Sequence, residues 1–586
     1  MLASETWRRA RLRFKSSPYS GMTLPSAPLP RQSCVPLDMR PADPEMAGDY
    51  YRGRYAFGGA IVDLSGDSPF LANPPNPDWE RELHGFRWLR HLVAAETALA
   101  QAQGSAFVAD WTRLCGRVRK PRAFEPGVIA DRLISWTCHA PHLMQDAGAI
   151  ANTDMRRSMV QQMRLLQSLQ STLPVDVTRL KCAVALTYVA LCFGAREKNL
   201  RAAMKDLSRE IGRQILADGG HISRNPAVLV ELLADMWPLL DAFARSGREP
   251  ASSLVSAVDR MIGALRFFRH SDGTLAQFNG TGVPSQELLV SLLDNTSVET
   301  HLPVSQIQHS APFTGYERLS NGGAVLIMDT GAPLSRVSSA DAAAGCLSFE
   351  MSSGKNRFII NSGKPVIDEK SYGPFWRMTA AHSTAVIGAQ SSARFAKNAR
   401  LAEALPSPIL TWPEKVTHER RTNEGKPEIE ASHDGYVASH GLVHRRIVHL
   451  SDNGRMLNGA DRFERVDPRA PSGDGSEIVL RFHLPPTISA SRLANGHSIL
   501  LAAPDKEAWT FTCVDAPIAL EESIHFAQEN GPRKTEQIVV RALSNRHAEI
   551  RWSMERRQRK TVSRSKGQSE EIPDLLAPLD QPEPAE

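Results

Sequence analysis

The chain has 586 residues, 42% of them hydrophobic and 23% charged, with 69 Lys and Arg against 64 Asp and Glu. This composition is ordinary for a globular protein and excludes a fibrous or largely disordered chain, and the length favours two large domains over one core. The formal charge of +5 is small for such a surface, so we expect no nucleic-acid partner, whereas a weakly basic body with basic clefts would suit an acidic polysaccharide.

The N-terminal segment, residues 1–48, is basic and rich in Pro and Ser, which favours an extended arm lying over the body. Its arginines are not followed by an apolar segment, so no secretory signal peptide is recognisable. No run of about eighteen apolar residues occurs in the chain, and we therefore predict no transmembrane segment.

Residues 49–303 are predicted to form a helical domain. Apolar residues recur at three- and four-residue spacing in segments such as 83–93, 175–193 and 226–243. Roughly seven to ten helices in succession, joined by short turns, favour antiparallel neighbours in an α/α hairpin array. Periodicity alone does not determine whether that array closes into a toroid.

The seven cysteines are scattered without CxxC pairs or regular spacing. Their odd number, and the apolar neighbours of Cys182 and Cys192, favour reduced, buried thiols over a disulfide framework. The residues themselves therefore indicate a cytoplasmic location.

A polar turn, residues 218–226, has the sequence Asp-Gly-Gly-His-Ile-Ser-Arg-Asn-Pro and precedes an apolar helix. Asn225 before Pro226 is typical of an N-cap with Pro at the first helical position, so a plain helix start is one explanation. That explanation does not account for Asp218, His221 and Arg224 in the same turn, which together indicate part of a cleft.

A second loop, residues 270–280, follows the helix that ends near residue 268 and contains Asp272 and Asn279. Asp272-Gly273 is a tight-turn signal, so an ordinary surface loop is the alternative to a binding site here.

After residue 303 the sequence pattern changes to short alternating segments typical of strands, such as 323–329, 346–351, 357–361, 446–450 and 477–482. Asn, Asp, Gly and Ser separate them, and the pattern continues for more than two hundred residues. We therefore predict a large antiparallel β-sandwich over residues 304–562 and a disordered tail over residues 563–586.

A third polar segment, residues 376–388, lies at the entrance to a predicted strand and contains Arg377, His382 and Ser383. A single His in such a place is commonly a hydrogen-bonded structural residue. Its polar neighbours make a functional role an equal alternative.

These segments together resemble the heparinase II/III-like polysaccharide lyases. The Asp-Gly-Gly-His turn, the Leu-Ser-Phe-Glu strand at residues 347–350 and the Ala-His-Ser-Thr motif at residues 381–384 occur in that family's order and spacing, the last being similar to the family's Ala-His-Asn-Thr. The resemblance extends over about residues 49–552. It implies an incomplete (α/α) toroid packed on an antiparallel β-sandwich, with a polysaccharide cleft between them.

Such lyases cleave uronic-acid-containing polysaccharides by β-elimination, which removes the proton at C5 and expels the oxygen at C4. An Asn or His must stabilise the developing dianion, and a Tyr or His acts as base and acid. The resemblance assigns catalytic roles to four residues: His221, Asn225, His382 and Tyr372. It assigns substrate binding to Arg224, Arg377, Asp272 and Asn279, with the arginines suited to gripping an acidic sugar.

The chain departs from this pattern in two places. Many family members carry His-x-His-x-Asp before the Ser-Phe strand, and those positions here hold Asp341, Ala343 and Gly345. We therefore predict no metal and no cofactor. The family's helical-domain tyrosine is also missing, since the matching region contains Phe278, and Tyr372 is the best substitute by position.

Three functions follow from these features. The first is a lyase acting on a uronate-containing polysaccharide. The second is a non-catalytic polysaccharide-binding or envelope-assembly protein that has lost part of the catalytic set, and the third a glycoside hydrolase using Asp218 with Glu231 or Asp272. Family membership implies the cell envelope or periplasm, in contrast to the cytoplasmic location indicated by the cysteines and the N-terminus.

Overall fold

The structure, a computed structural model, describes residues 7, 10–11, 27–64, 66–115, 120–144, 148–194, 196–299, 308–367, 369–396, 398, 401–402, 405, 407–423, 426–467 and 475–557. The predicted disordered tail, most of residues 1–26 and the predicted domain boundary at residues 303–304 lie outside this part of the chain.

The N-terminal domain is helical, as predicted, and contains a small hairpin of β1 (Arg54–Phe57) and β2 (Ala60–Asp63) between its first two helices. Its helices within the described ranges are α1 (Met46–Tyr51), α2 (Pro77–Gly85), α3 (Leu89–Ala94), α4 (Ala98–Leu114), α5 (Pro126–Leu143), α6 (Ala149–Gln170), α7 (Val177–Cys192), α8 (Glu197–Gln214), α9 (Pro226–Arg245), α10 (Ser252–Phe267) and α11 (Gln286–Glu299).

Several helices begin at side-chain caps that the sequence indicates. Asn76 caps α2, Asp176 caps α7, and Asn225 caps α9 with Pro226 in its first turn, as predicted. The apolar segment 83–93, in contrast, is not one helix. The chain breaks at Phe86, whose φ of 62° is left-handed, because its ring is fully buried and stacks on Trp88 with ring centroids 5.3 Å apart.

The N-terminal arm lies on the helices over residues 27–45. Ser33 donates its backbone N–H to the Cys192 carbonyl at 2.7 Å, at the end of α7. His139 contacts the Asp38 carboxylate at 3.1 Å, and Arg40 forms an ion pair with the buried Asp235 at 2.8 Å. Side-chain contacts of opposite charge thus fasten the arm to the body.

The C-terminal domain is built of antiparallel sheets. A five-stranded sheet contains β3 (Ser310–Ala311), β4 (Tyr316–Asn321), β5 (Ala324–Asp329), β6 (Phe349–Ser353) and β7 (Asn356–Ile359) in sequence order. A short pair is formed by β9 (Arg394–Phe395) and β10 (Ile409–Thr411).

The two remaining sheets complete the sandwich. The eight-stranded one has the order β11 (Val416–Asn423), β12 (Lys426–Tyr436), β13 (Leu442–Leu450), β14 (Met456–Arg465), β21 (Glu549–Arg556), β18 (Ala508–Thr512), β17 (Ser498–Ala502), β16 (Ser489–Arg492). The four-stranded one has the order β19 (Ile518–His525), β20 (Arg533–Leu543), β15 (Glu477–His483), β8 (Ala385–Ile387), and a short helix α12 (Val437–His440) links β12 to β13. Alternate residues of β13 are buried, which is the pattern of a strand with one face on the core.

The predicted strand at residues 346–351 begins only at Phe349. Leu347 has a left-handed φ of 61°, and Ser348 donates its N–H to the Gly345 carbonyl at 2.9 Å, so the preceding residues form a tight turn. This turn places Gly345 beside the His382 ring, ahead of the first residue of the strand.

The two domains share apolar packing. Tyr316, Val325 and Ile327, on β4 and β5, belong to the same buried cluster as the helices, whereas the rest of the sandwich has a core of its own. The predicted architecture of a helical toroid followed by an antiparallel sandwich is therefore confirmed. Among the described residues, no helix is both long and apolar enough to cross a membrane.

Candidate functional site

The turn at residues 218–226 lies against the β domain. The Asp218 carboxylate accepts hydrogen bonds from the backbone N–H groups of Phe313 and Thr314, at 2.9 and 2.7 Å, and from the Thr314 hydroxyl at 2.7 Å. A Cβ atom on Gly220 would lie 1.9 Å from the Thr314 hydroxyl oxygen, so glycine is required for this approach. Asp218 and the glycine therefore fix one domain on the other.

His221 is buried behind this contact. Its Nδ1 accepts the Ser223 N–H at 3.1 Å, which assigns the ring proton to Nε2, and Nε2 donates to the Gln214 side chain at 3.0 Å. Burial lowers the pKa of His221 to about 3, so the ring is neutral near pH 7. Both ring nitrogens are thus occupied within the helical domain.

Arg224 extends from the helical domain into the β domain. It has a left-handed φ of 59°, and its guanidinium donates to the Thr314 carbonyl at 2.7 Å and forms a buried ion pair with Asp329. Burial opposes its charge, but Asp329 outweighs that effect and raises the pKa of Arg224. The guanidinium also lies 4.9 Å from the centre of the Tyr316 ring.

Asn279 belongs to the same network. Its amide donates to the Tyr316 hydroxyl at 2.7 Å and to Asp329 at 3.2 Å, and its carbonyl oxygen accepts the Ala343 N–H at 3.2 Å. The Tyr316 hydroxyl in turn donates to the Arg224 carbonyl at 2.6 Å. The structure therefore brings Arg224 and Asn279 together around Asp329 and Tyr316, two residues that the sequence analysis did not select.

Asn225 borders a different group of charges. Its side-chain oxygen accepts the Ala227 N–H at 3.0 Å and the Thr281 hydroxyl at 2.9 Å, and its side chain hydrogen-bonds the Asp341 carboxylate. Asp341 forms an ion pair with Lys364 at 2.9 Å. Burial opposes the Asp341 charge, but Lys364 and a nearby arginine outweigh it and lower the pKa of this carboxyl.

We call Asp341, Lys364, Glu369 and Arg377 the charged ridge. Glu369 lies 3.4 Å from Lys364 and 3.6 Å from Arg377, and Arg377 also donates to the Ala340 and Ala342 carbonyls. The ridge contains two cations and two carboxylates, so its net charge is zero. The Asp341 and Glu369 side chains are 35% and 39% exposed, whereas Arg377 is buried over the Trp376 ring.

His382 lies beside the turn that precedes β6. Its Nδ1 donates to the Met378 carbonyl at 2.8 Å. Burial lowers the pKa of the ring. A Cβ atom on Gly345 would lie 2.7 Å from its Cδ2. The ring thus occupies the space that a side chain at position 345 would need.

Tyr372 is half-buried in a neighbouring apolar cluster, with its ring centre 5.4 Å from that of Phe526. It is held on the β-domain side of the interface together with Trp376 and Ala343.

Asp272 lies apart from the other predicted residues. Its carboxylate accepts the Thr274 N–H at 3.0 Å and the Thr274 hydroxyl at 2.7 Å, as expected of a tight turn. It also borders a cavity of about 670 Å³ between the domains, whose walls include Gln277, Arg357, His525 and Arg533.

Glu350 is a buried carboxylate that sequence reasoning missed. It accepts hydrogen bonds from His270 Nε2 at 3.1 Å and from the Gln277 N–H at 3.1 Å, both in the helical domain, and forms an ion pair with Arg357. Burial opposes its charge, but Arg357 and His270 outweigh burial and lower the pKa of Glu350 to about 2. In the sequence, only its position in the Ser-Phe-Glu strand indicated a role for Glu350.

The described residues contain no group of three or more His, Cys, Asp or Glu side chains placed to hold a metal ion. The expectation that the chain uses no cofactor remains a prediction.

The β domain matches a known protein-family model. Residues 304–553 match the family model described as heparinase II/III-like, C-terminal. A curated relative, FtsZ-localized protein C of Caulobacter vibrioides, is 29% identical over 532 residues, which cover 89% of this chain and 90% of the relative.

Solved structures share the fold over 93–95% of the chain. Heparinase III aligns with a TM-score of 0.65 at 13% identity, covering 93% of this chain and 88% of that one. The heparan sulfate lyase HepC from Pedobacter heparinus aligns with a TM-score of 0.55 at 15% identity, covering 95% and 87%. At these identities the likeness establishes the toroid-plus-sandwich fold.

Replacing Arg224 tests the interdomain ion pair. We expect Arg224→Met to lower the free energy of unfolding by about 3–5 kcal/mol, because it leaves the Asp329 carboxylate buried without its partner. Chemical denaturation measures this. Arg541→Met, which breaks exposed pairs with Glu477 and Glu521, should cost less than about 1 kcal/mol. An equal effect of both substitutions would contradict a structural role for Arg224.

The buried histidines predict a pH dependence of stability. Because the folded-state pKa of His221 is depressed to about 3, the unfolded chain binds the proton more readily, and stability falls as pH drops below the ordinary value of 6.5. Between pH 7 and pH 5 this one residue should account for about 2 kcal/mol of lost stability. Denaturant titrations at both pH values should show a loss smaller by that amount in His221→Gln; an unchanged loss would refute the assignment.

Proposed function

Because residues 304–553 form a heparinase II/III-like C-terminal domain, we propose that the chain binds a polysaccharide between its two domains and does not cleave it by β-elimination. One observation carries this proposal: most of the polar groups that an elimination would use are engaged in bonds to the protein itself, namely those of Arg224, His221, Asn279 and Asn225. The fold supports a glycan-binding cleft, and the contacts of the individual residues argue against a lyase.

Elimination needs free donors for the uronate carboxylate and a base near C5. Arg224 is paired with Asp329, and both nitrogens of His221 are hydrogen-bonded inside the helical domain. Asn279 bonds Tyr316 and Asp329. None of these three side chains can turn toward a sugar without leaving a buried polar partner unsatisfied, which costs about 1–3 kcal/mol for each lost bond.

The remaining predicted catalytic groups are His382, Tyr372 and Asn225. His382 is 4% exposed and packs against Gly345, and Asn225 is bonded to Thr281 while it caps α9. Tyr372 alone is partly open to solvent. A single half-buried tyrosine does not provide both the carboxylate neutralisation and the proton transfers of the reaction.

The glycoside hydrolase alternative has less support. Asp218 is bonded to Thr314, Glu231 forms an ion pair with Arg40, and Asp272 is bonded to Thr274. An inverting or retaining hydrolase needs two carboxyl groups free to act on opposite sides of one glycosidic bond.

Binding without cleavage uses groups that remain exposed. Phe375 and Val366 lie near the charged ridge, on the segment between β7 and β8, and are 61% and 51% exposed. An exposed aromatic ring next to polar groups is suited to stacking on a sugar. The amides on the cavity walls are already bonded to the protein, Gln277 and Gln528 to His525 and Asn356 to Asp505. The exposed Phe375 ring is therefore the surface on which the proposal depends.

The charge balance bears on the kind of glycan. In the ridge, Lys364 and Arg377 are neutralised by Asp341 and Glu369, and in the cavity Arg357 is neutralised by Glu350. The cavity walls also carry two cations and two carboxylates, Lys355, Arg533, Asp272 and Glu529. The similar solved enzyme HepC is named for acidic heparan sulfate. For this chain, paired charges favour a neutral or zwitterionic polysaccharide over a heavily sulfated one.

Glycan binding and ultraviolet absorbance test the proposal together. The purified chain would be offered heparan sulfate, hyaluronan, alginate, and neutral and zwitterionic bacterial glycans. We expect one of the last two to bind, with no rise in unsaturated-uronate absorbance and less than about a threefold change in Kd between low and physiological salt. Phe375→Ala should weaken binding at least about tenfold, since it removes the stacking surface.

Val514→Ala, which removes an exposed apolar side chain between β18 and β19, is the matched control and should bind as the unsubstituted chain does. A rise in absorbance that disappears in both His382→Ala and Tyr372→Phe would instead establish a lyase. Binding of none of the glycans would reject the proposal.

We also propose that the chain acts in the compartment that contains FtsZ. The curated relative is named for its localization with FtsZ and aligns over 89% of this chain. All seven cysteines are free thiols, as in proteins of a reducing compartment.

Imaging a fluorescent fusion of the full chain together with labelled FtsZ tests this location. We expect the two signals to coincide, and the fluorescent protein alone to remain dispersed. A fusion confined to the periplasm would overturn the proposal and support the location implied by the lyases.

A further inference from the structure

Two cysteines meet where the N-terminal arm crosses the end of α7. The Sγ atoms of Cys34, on the arm, and Cys192, the last residue of α7, lie 3.3 Å apart. The remaining five cysteines are buried, and only Cys34 among the seven is partly exposed. A disulfide requires an S–S distance of about 2.05 Å, so a shift of roughly 1.2 Å would join the two sulfurs.

Backbone contacts hold the two sulfurs in place. Ser33, the residue before Cys34, donates both its N–H and its hydroxyl to the Cys192 carbonyl, at 2.7 and 3.0 Å. Gln32 donates to the Cys34 carbonyl at 2.7 Å and to the Thr137 carbonyl at 2.8 Å. The cysteine pairing therefore follows from the register of the arm on the helices, and does not depend on one flexible side chain.

The surroundings favour a thiolate at Cys34. The hydrogen bond between Cys34 and Cys192 lowers the pKa of Cys34 to about 7, against the effect of burial, and Arg248 and Arg245 add to the lowering. The same bond, with burial, raises the pKa of Cys192. Burial also raises the pKa of Cys115, to about 11. Of these three thiols, the one on the partly exposed residue, Cys34, is therefore the one that ionises near neutral pH.

We propose that Cys34 and Cys192 form a thiol-modification site at which a low-molecular-weight disulfide installs a covalent bond between the N-terminal arm and the end of α7. The Cys34 thiolate attacks one sulfur of the reagent, forming a mixed disulfide and releasing one small thiol. Cys192 then loses its proton and attacks the Cys34 sulfur, which expels the second small thiol. Two protein thiols are oxidised, and one reagent disulfide is reduced to two thiols.

The bond fixes the part of the arm that carries Asp38 and Arg40. Those two side chains reach His139 and Asp235, and without a covalent link the arm is held by such non-covalent contacts. Oxidation therefore locks the arm onto the helical domain, and a reducing thiol releases it.

Intact-mass analysis of the full-length chain with oxidised glutathione tests the site. The unsubstituted protein should lose the mass of two hydrogens, retain no glutathione, and yield a peptide pair linked through Cys34 and Cys192. Cys192→Ser should retain one glutathione on Cys34, because the second attack is missing, and Cys34→Ser should show neither product. Cys115→Ser is the matched control and should behave as the unsubstituted chain.

Circular dichroism and Tm establish that each variant is folded, and Cys192→Ala replaces the serine variant if the buried hydroxyl disturbs folding. Limited proteolysis should cut residues 27–45 more slowly after oxidation, and dithiothreitol should restore the original rate. Stable glutathione on Cys34 in the unsubstituted chain, a disulfide between other cysteines, or an unmodified Cys34 in folded Cys192→Ser would each overturn the proposal.

Discussion

The relative position of the two domains depends on the buried ion pair between Arg224 and Asp329. A charge in the protein interior is tolerated only when it has an ionic partner and its hydrogen bonds are made. Here the Thr314 and Gly315 carbonyls accept hydrogen bonds from the Arg224 guanidinium. The Asn279 amide donates a hydrogen bond to the Asp329 carboxylate. The helical domain can therefore rotate on the sandwich only by breaking several buried polar contacts at once, so the cleft has a fixed geometry.

Glu350 forms a second anchor of the same kind. It receives hydrogen bonds from His270 and Gln277 of the helical domain, and Arg357 neutralises it from its own domain. Of the residues that the family resemblance assigns to substrate, Arg224 and Asn279 use their hydrogen-bonding capacity for domain association. Arg377 and Asp272 bond within their own domains instead.

Local features of this fold follow from the sequence, and long-range pairings do not. The three-to-four-residue periodicity predicts the helices, and Asn225 before Pro226 predicts the start of α9, because both effects act within a few residues. Arg224 and Asp329 are 105 positions apart, so their pairing is visible only after folding. His221 shows the same limit at short range: its type indicates chemistry, but the partner on α8 that occupies Nε2 is not indicated by any motif.

Gly345, which stands where many of the lyases that the sequence resembles carry a carboxylate, is coupled to the position of His382. A Cβ atom there would lie 2.7 Å from the His382 ring, closer than real Cβ contacts occur, so any side chain would displace the histidine. His382 cannot move alone, because Nδ1 is bonded to the Met378 carbonyl and the adjacent Ser383 hydroxyl is bonded to the Ile360 carbonyl. The glycine and the buried histidine are therefore one structural unit. A side chain introduced at position 345 alone would therefore displace His382 rather than add a group beside it.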